Sequence, residues 1–176
     1  MQLQFAYLLK NTFDLAVYAD DEIVRIELET GISINGRLRE CDVLIHVKKG
    51  GQEILLPIEM KCYKTWSSSG GRRGAQDIFR YNLYQDIEIL EAYSKCNENI
   101  VLGVQLTMTD SENFVNPKSK DYKSWQYDIS QGTIIENGTQ IEVPIGGKPT
   151  LTRIEHNYKF NWNNVGKFFF LKLQGE

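Results

Sequence analysis

RECDVLIHVKKGGQEILLPIEMKCY, residues 39–63, holds two alternating runs separated by Lys48-Lys49-Gly50-Gly51. Side chains of an extended chain point to opposite faces with period two. In residues 39–47 that puts Cys41, Val43, Ile45 and Val47 on one face and Glu40, Asp42, Leu44 and His46 on the other. In residues 53–63 an apolar face of Ile54, Leu56, Ile58, Met60 and Cys62 is opposed by Leu55, Pro57, Glu59, Lys61 and Tyr63. The glycine turn is short enough to pair the two strands antiparallel, which sets Asp42 beside Glu59. Pro57 lacks a ladder donor, and is expected to mark a bulge.

Outward from this hairpin, residues 3–18 have few breakers and near-helical apolar spacing, which predicts a helix. Residues 23–29 alternate, with Val24, Ile26 and Leu28 on one face, as a half-buried strand does; GISING then reads as a turn. After the third strand, SSSGGRRG is a loop of small residues with little reason to hold one shape. From Ala75 to about Tyr93 the period becomes helical, and Phe79, Leu83, Ile87 and Leu90 form one buried stripe. Residues 100–108 read as a buried strand. The C-terminal third predicts a hairpin over residues 133–143, turning at Asn137-Gly138, and further strands over 151–160 and 167–173. The expectation is one α/β domain spanning residues 1–176. Its core covers about 1–108 in the order helix, three strands, helix, strand, and a β-rich extension covers about 120–176.

A chain of 176 residues with 41% hydrophobic and 24% charged residues suits one soluble globular core. No stretch approaches the roughly 18 apolar residues of a membrane span. The N-terminus shows no basic, apolar and small-residue sequence of a secretory signal, so a cytoplasmic protein is expected. Three cysteines without a CxxC pair suit neither a disulfide framework nor a zinc site. The net charge of −3 disfavours a uniformly basic nucleic-acid binder. Its distribution matters more. Residues 61–83 carry Lys61, Lys64, Arg72, Arg73 and Arg80 against Asp77, and residues 148–172 carry five bases against Glu155. A phosphate backbone responds to such local fields.

Two carboxylates converging on a sheet face are costly unless neutralised, and a divalent cation with oxygen ligands is the usual remedy. Acid-x-Lys triplets occur twice, as Glu59-Met60-Lys61 and Asp121-Tyr122-Lys123; only the first lies on a strand beside another acid. Asp42 followed on the next strand by Glu59-Met60-Lys61 resembles the PD-(D/E)xK nuclease superfamily, whose restriction-endonuclease-like core has the element order read above. Cys41 stands where the family name has Pro. The resemblance implies Mg²⁺ or Mn²⁺ held by Asp42, Glu59 and the carbonyl of Met60, with Lys61 orienting or activating the attacking water. A further acid would come from Asp14 on the first helix, or from Glu27 or Glu29.

The family's second helix contributes a polar residue, in some branches Gln followed four residues later by Tyr. Here Gln76 is followed at that spacing by Arg80, and Gln76, Arg80 and Tyr84 form a polar stripe. Arg72, Arg73, Gln76 and Arg80 are the expected nucleic-acid contacts, and Trp66 could stack on a base or pack. The implied activity is hydrolysis of phosphodiester bonds, with DNA the first choice of substrate and a homodimer compatible with the reading. The alternatives are a catalytically inactive binding or interaction module of the same fold, and an RNA-cleaving toxin-like domain.

Overall fold

The computed structural model describes residues 1–16 and 21–176, except the side chains of Asp14 and Ala16. In chain order the elements are α1 (Gln2–Ala16), β1 (Ile23–Ile34), β2 (Arg37–Lys49), β3 (Gln52–Tyr63), α2 (Gln76–Cys96), β4 (Val104–Thr109) and α3 (Glu112–Val115). A 3₁₀ turn (Lys123–Gln126) follows, then β5 (Ile134–Ile135), β6 (Gln140–Glu142), β7 (Leu151–Arg153), β8 (Tyr158–Lys159), β9 (Trp162–Val165) and β10 (Phe168–Gln174). A mixed six-stranded sheet runs β1-β2-β3-β4-β10-β9, and β5-β8 and β6-β7 form two small pairs. The protein is therefore α/β. Its first 109 residues run helix, three strands, helix, strand, as expected. The expected end of the first helix, Val17-Tyr18, lies outside the described residues. No helix among the described residues is long and apolar enough to cross a membrane.

Glycine decides the turns. GISING is mostly strand: β1 continues through Ile34 and only Asn35 (φ 49°) and Gly36 (φ 77°) turn. Gly50 (φ 55°) and Gly51 (φ 82°) likewise join β2 to β3. Two consecutive positive φ angles match the twist of paired strands, so both hairpins close on two residues. The hairpin expected at Asn137-Gly138 does not form. Only Gly138 has positive φ (84°), and the Thr139 N–H donates to the Glu136 carbonyl at 3.1 Å. A turn with one positive φ at its third position splays its flanks. β5 accordingly pairs with β8 and β6 with β7.

Nor does Pro57 mark a bulge, since the β2–β3 register runs unbroken from Lys49↔Gln52 to Val43↔Ile58. A two-residue turn makes Lys49 and Gln52 a hydrogen-bonded pair, and pairs alternate in kind from there. Pro57, opposite Leu44, falls on a pair that exchanges no bonds with β2, so its missing N–H costs that ladder nothing.

The chain divides into two compact units: residues 1–60 with 90–104, and residues 61–89 with 105–176. β3 and α2 contribute to both. In the first unit Cys41, Val43, Leu44, Ile45 and Ile58 are buried, as are Leu90 and Tyr93 from α2. The expected strand over 100–108 starts as a parallel bridge between Leu55 and Ile100 and becomes regular only at Val104. In the second unit one large cluster includes Tyr63, Phe79, Leu83, Ile87, Phe114, Tyr127 and Phe160. The expected stripe on α2 is buried throughout, with Phe79 at 8%, Leu83 and Ile87 at 0% and Leu90 at 2% exposure.

Gly103 is where the first unit has no room. A Cβ there would lie 2.5 Å from both the Pro57 carbonyl oxygen and Leu90 Cδ2. Gly103→Ala is predicted to lower stability by about 1–3 kcal/mol through overpacking against backbone. Gly74→Ala, with nothing within 4 Å of its Cβ, is the near-neutral control. Equal urea midpoints for the two variants would refute the close approach.

Candidate active site

The site begins where β2 and β3 part. Beyond Val43↔Ile58 the regular register ends, yet Met60 still projects its N–H toward β2. The carboxylate of Asp42 takes that donor, Oδ2 accepting it at 2.7 Å. Asp42 Oδ1 accepts a short hydrogen bond from the Gln2 side-chain amide, so α1 also holds the carboxylate. On the other side of β2 the pairing with β1 passes from Leu28↔Val43 to Thr30↔Cys41 and omits Glu29, which adopts φ 51°. Both ladders around Asp42 are thus locally interrupted.

Glu59 is 6% exposed, and its Oε1 accepts a hydrogen bond from the Tyr93 hydroxyl at 3.2 Å. The alternation of β3 left open which of its faces is covered. The Glu59 face is the better covered one: Pro57, Glu59 and Tyr63 are buried on it, whereas Ile54 and Cys62 on the apolar face are exposed. Side chains seven residues apart on α2 are the cause. In the first unit Tyr93 reaches Glu59. In the second unit Asp86 pairs with Lys61 at 3.0 Å and the Phe79 ring lies 5.2 Å from that of Tyr63.

Asp42 and Glu59 act on the same two neighbours. Burial, then the charge of Glu59 and more weakly that of Asp42, push the Cys41 thiol up to about 12. Burial, then Glu59, Cys41 and Asp42, also raise the Tyr93 phenol. The Cys41 Sγ donates instead to the carbonyls of Val43 (3.3 Å) and Ile58 (3.8 Å). Both carboxylates therefore lie close enough to the Cys41 thiol and the Tyr93 phenol to oppose their ionisation. The donor chemistry suits a hard divalent cation: two carboxylates, and the Met60 carbonyl, which leaves the strand on the same side as the N–H bonded to Asp42. Among the described residues no three side chains of His, Cys, Asp or Glu gather as a metal site.

Of the further acids considered, the Asp14 side chain lies outside the described residues. Glu27 Oε2 lies 3.4 Å from His46 Nε2, and His46 Nδ1 lies 3.9 Å from Glu53, a polar row across the first three strands. Glu29 is exposed.

The remaining candidates belong to the second unit. Arg72 and Arg73 are exposed, but their loop has a shape: Trp66 bridges Arg72, Ser67 N–H donates to the Gly71 carbonyl at 2.9 Å, and Arg73 N–H to that of Thr65 at 2.8 Å. Asp110 anchors the loop's base, accepting from Thr65 N–H and Oγ1 at 2.6 and 2.8 Å. The loop expected to lack a fixed form is a narrow hairpin with Trp66, 60% exposed, beside its arginines. The polar stripe of α2 is not exposed either. Arg80 and Tyr84 are 3% and 2% exposed, because Ser124, Trp125 and Asp128 pack against them; Gln76 stays partly open.

Sequence reasoning missed Gln2, Tyr93 and Asp86. Gln2 carries no signal. Tyr93 and Asp86 lie seven apart on α2, a spacing that repeats one face of a helix and could have paired them with the alternating Glu59 and Lys61. Comparison with family models, curated proteins and solved structures finds no match to this chain.

Asp42→Asn is the sharp test of the local geometry. An amide offers one acceptor where two donors, Met60 N–H and the Gln2 amide, converge. A loss of about 1–3 kcal/mol is expected in urea unfolding, since one buried donor is left unmatched. An unchanged midpoint would show that Asp42 does not tie α1 to β3.

Proposed function

We propose that the protein is a metal-dependent nuclease of restriction-endonuclease-like architecture that hydrolyses phosphodiester bonds, with DNA as its substrate. The support is the convergence of Asp42 and Glu59 on one end of the first unit, where both act on Cys41 and Tyr93 and the Met60 N–H donates to Asp42. The element order of the first 109 residues is consistent with that core.

Asp42, Glu59 and the Met60 carbonyl would hold Mg²⁺ or Mn²⁺. Bound there, such an ion supplies Lewis acidity to a phosphate oxygen and lowers the pKa of coordinated water. The protein's share is positional. Gln2 and the Met60 N–H fix one carboxylate and Tyr93 fixes the other, so neither rotates when charge develops nearby. Lys61 follows Glu59 by one alternation of β3, and Asp86 steadies its ammonium at 3.0 Å. In this reading Lys61 orients the attacking water and offsets negative charge in the transition state. Arg72 and Arg73, exposed on their hairpin, grip backbone phosphates in the bidentate manner suited to a planar guanidinium.

Incubation with supercoiled plasmid, linear duplex and RNA, in Mg²⁺, in Mn²⁺ and in EDTA, tests the reading directly. Metal-dependent DNA cleavage is expected, abolished in Glu59→Gln and reduced at least about a hundredfold in Lys61→Ala while binding persists, as for a group acting in the transition state. Binding without cleavage in any metal would sink the nuclease and favour an inactive module; cleavage of RNA alone would replace the substrate. Arg72→Ala combined with Arg73→Ala is expected to weaken duplex binding equally across sequences and to flatten the logarithmic salt dependence by roughly two phosphate contacts. A slope equal to the parent's would leave both arginines without a role in binding.

A further inference from the structure

The second unit contains a pocket of about 600 Å³ between the N-terminus of α2, Asn113 of α3 and the segment that leads into the 3₁₀ turn. Its walls include Gln76, Arg80, Asn113, Lys118, Tyr122 and Trp125. We propose that this pocket binds a nucleotide through its phosphomonoester, with Arg80 as the anion-binding group and Tyr122 as the surface on which the base stacks. It shares no residue with the Asp42–Glu59 pair, so it stands or falls apart from the nuclease reading.

Arg80 carries the argument. Its side chain is 3% exposed, yet among the described residues no carboxylate lies within ion-pair distance of it. One donor is used, Nη2 to Ser124 Oγ at 2.8 Å, and the buried Nε has no hydrogen-bond partner. Burial lowers its pKa, and Asp77 and Asp128 oppose this only from a distance. A buried guanidinium left with unmatched donors is expensive unless something completes its shell. Its orientation is fixed, because the guanidinium carbon sits 4.1 Å from the centre of the buried Trp125 ring. The result is a guanidinium of fixed orientation that borders a cavity, and a phosphate oxygen is a charge-assisted acceptor suited to its remaining donors.

The rest of the lining favours a nucleotide over a bare anion. The pocket opens at the first residue of a 21-residue helix, whose N-terminal end favours negative charge, and the exposed Lys118 adds a second cation at the rim. Asp77, in the first helical turn, and Asp121, which accepts from the Ser119 hydroxyl, also line the pocket as carboxylates, so the anion is placed at Arg80 and Lys118. Tyr122 is 78% exposed, an open aromatic ring against which a base can stack. Gln76 accepts from the Asn113 amide at 3.5 Å, which leaves a donor on Gln76 and an acceptor on Asn113 for a base edge. The volume falls within the range of sites that hold one small ligand.

Calorimetry on the full chain in EDTA removes any contribution from a metal and decides the matter. The probes are inorganic phosphate, a nucleoside monophosphate, the matching nucleoside, and a dinucleotide with and without a 5′-phosphate. Saturable one-to-one binding of the monophosphate is expected, with the nucleoside at least about tenfold weaker. Tyr122→Ala, a surface change, should weaken the monophosphate about tenfold, in line with the stacking contribution of one base, and leave inorganic phosphate unchanged. Arg80→Gln should lose both, with circular dichroism reporting that the chain is folded; Lys118→Ala serves the same purpose should that variant unfold. Tighter binding of the phosphorylated dinucleotide than of the monophosphate would identify the end of a strand as the source of the phosphate, and the reverse order a free nucleotide. The proposal is overturned by absence of saturable binding up to about 10 mM, by equal binding of nucleoside and nucleotide, or by nucleotide affinity indifferent to Tyr122→Ala and Lys118→Ala.

Discussion

The carboxylate of Asp42 accepting the Met60 N–H is the constraint on which the first unit's chemistry depends. Two long antiparallel strands would ordinarily continue their ladder until sequence stops them. Here a side chain takes over a backbone role one step beyond Val43↔Ile58. Two consequences follow from that exchange. The strands can separate without orphaning a buried donor, which would otherwise cost about 1–3 kcal/mol. An acidic side chain is also drawn laterally into the gap, beside the carbonyl of the residue whose N–H it accepts.

The charge brought there has to be tolerated. Glu59 is almost wholly buried and Asp42 half-buried, and both, after burial itself, push the Cys41 thiol and the Tyr93 phenol up. Hydrogen bonds from Gln2, Met60 and Tyr93 stabilise the two carboxylates, because donors aimed at a charged group favour its charged form. Lys61, one alternation further along β3, pairs with Asp86 of α2 at 3.0 Å.

Much of this was legible in the sequence, for local reasons. Period-two alternation located β1, β2 and β3, and consecutive glycine or Asn-Gly conformations closed their hairpins. The helical stripe Phe79, Leu83, Ile87, Leu90 was recoverable because its spacing is intrinsic to a helix. What failed was non-local. Asn137-Gly138 carried the signature of a hairpin, but the pairing of β5 with β8 and β6 with β7 brings in residues 151–159, and no local pattern encodes that choice. Alternation also separates two faces without saying which is covered. For β3 the covered face proved to be that of Glu59, because a tyrosine and an aspartate on α2 supply polar partners that make burial of charged residues tolerable.

The same reasoning explains why composition misjudged Arg80. Counting it in a basic cluster assumes that charge stays in solvent, as it does for most arginines. An arginine whose guanidinium packs over the Trp125 ring gains contact that compensates part of its desolvation, and needs a carboxylate only for the remainder. No carboxylate is supplied within ion-pair distance by the described residues, although acids are plentiful in the chain and Asp77 lies only one helical turn away in sequence. A buried cation with a fixed plane, spare donors and a cavity at its side is a different object from a solvated one. The two cannot be told apart by counting charges, and are told apart at once by asking where each donor goes.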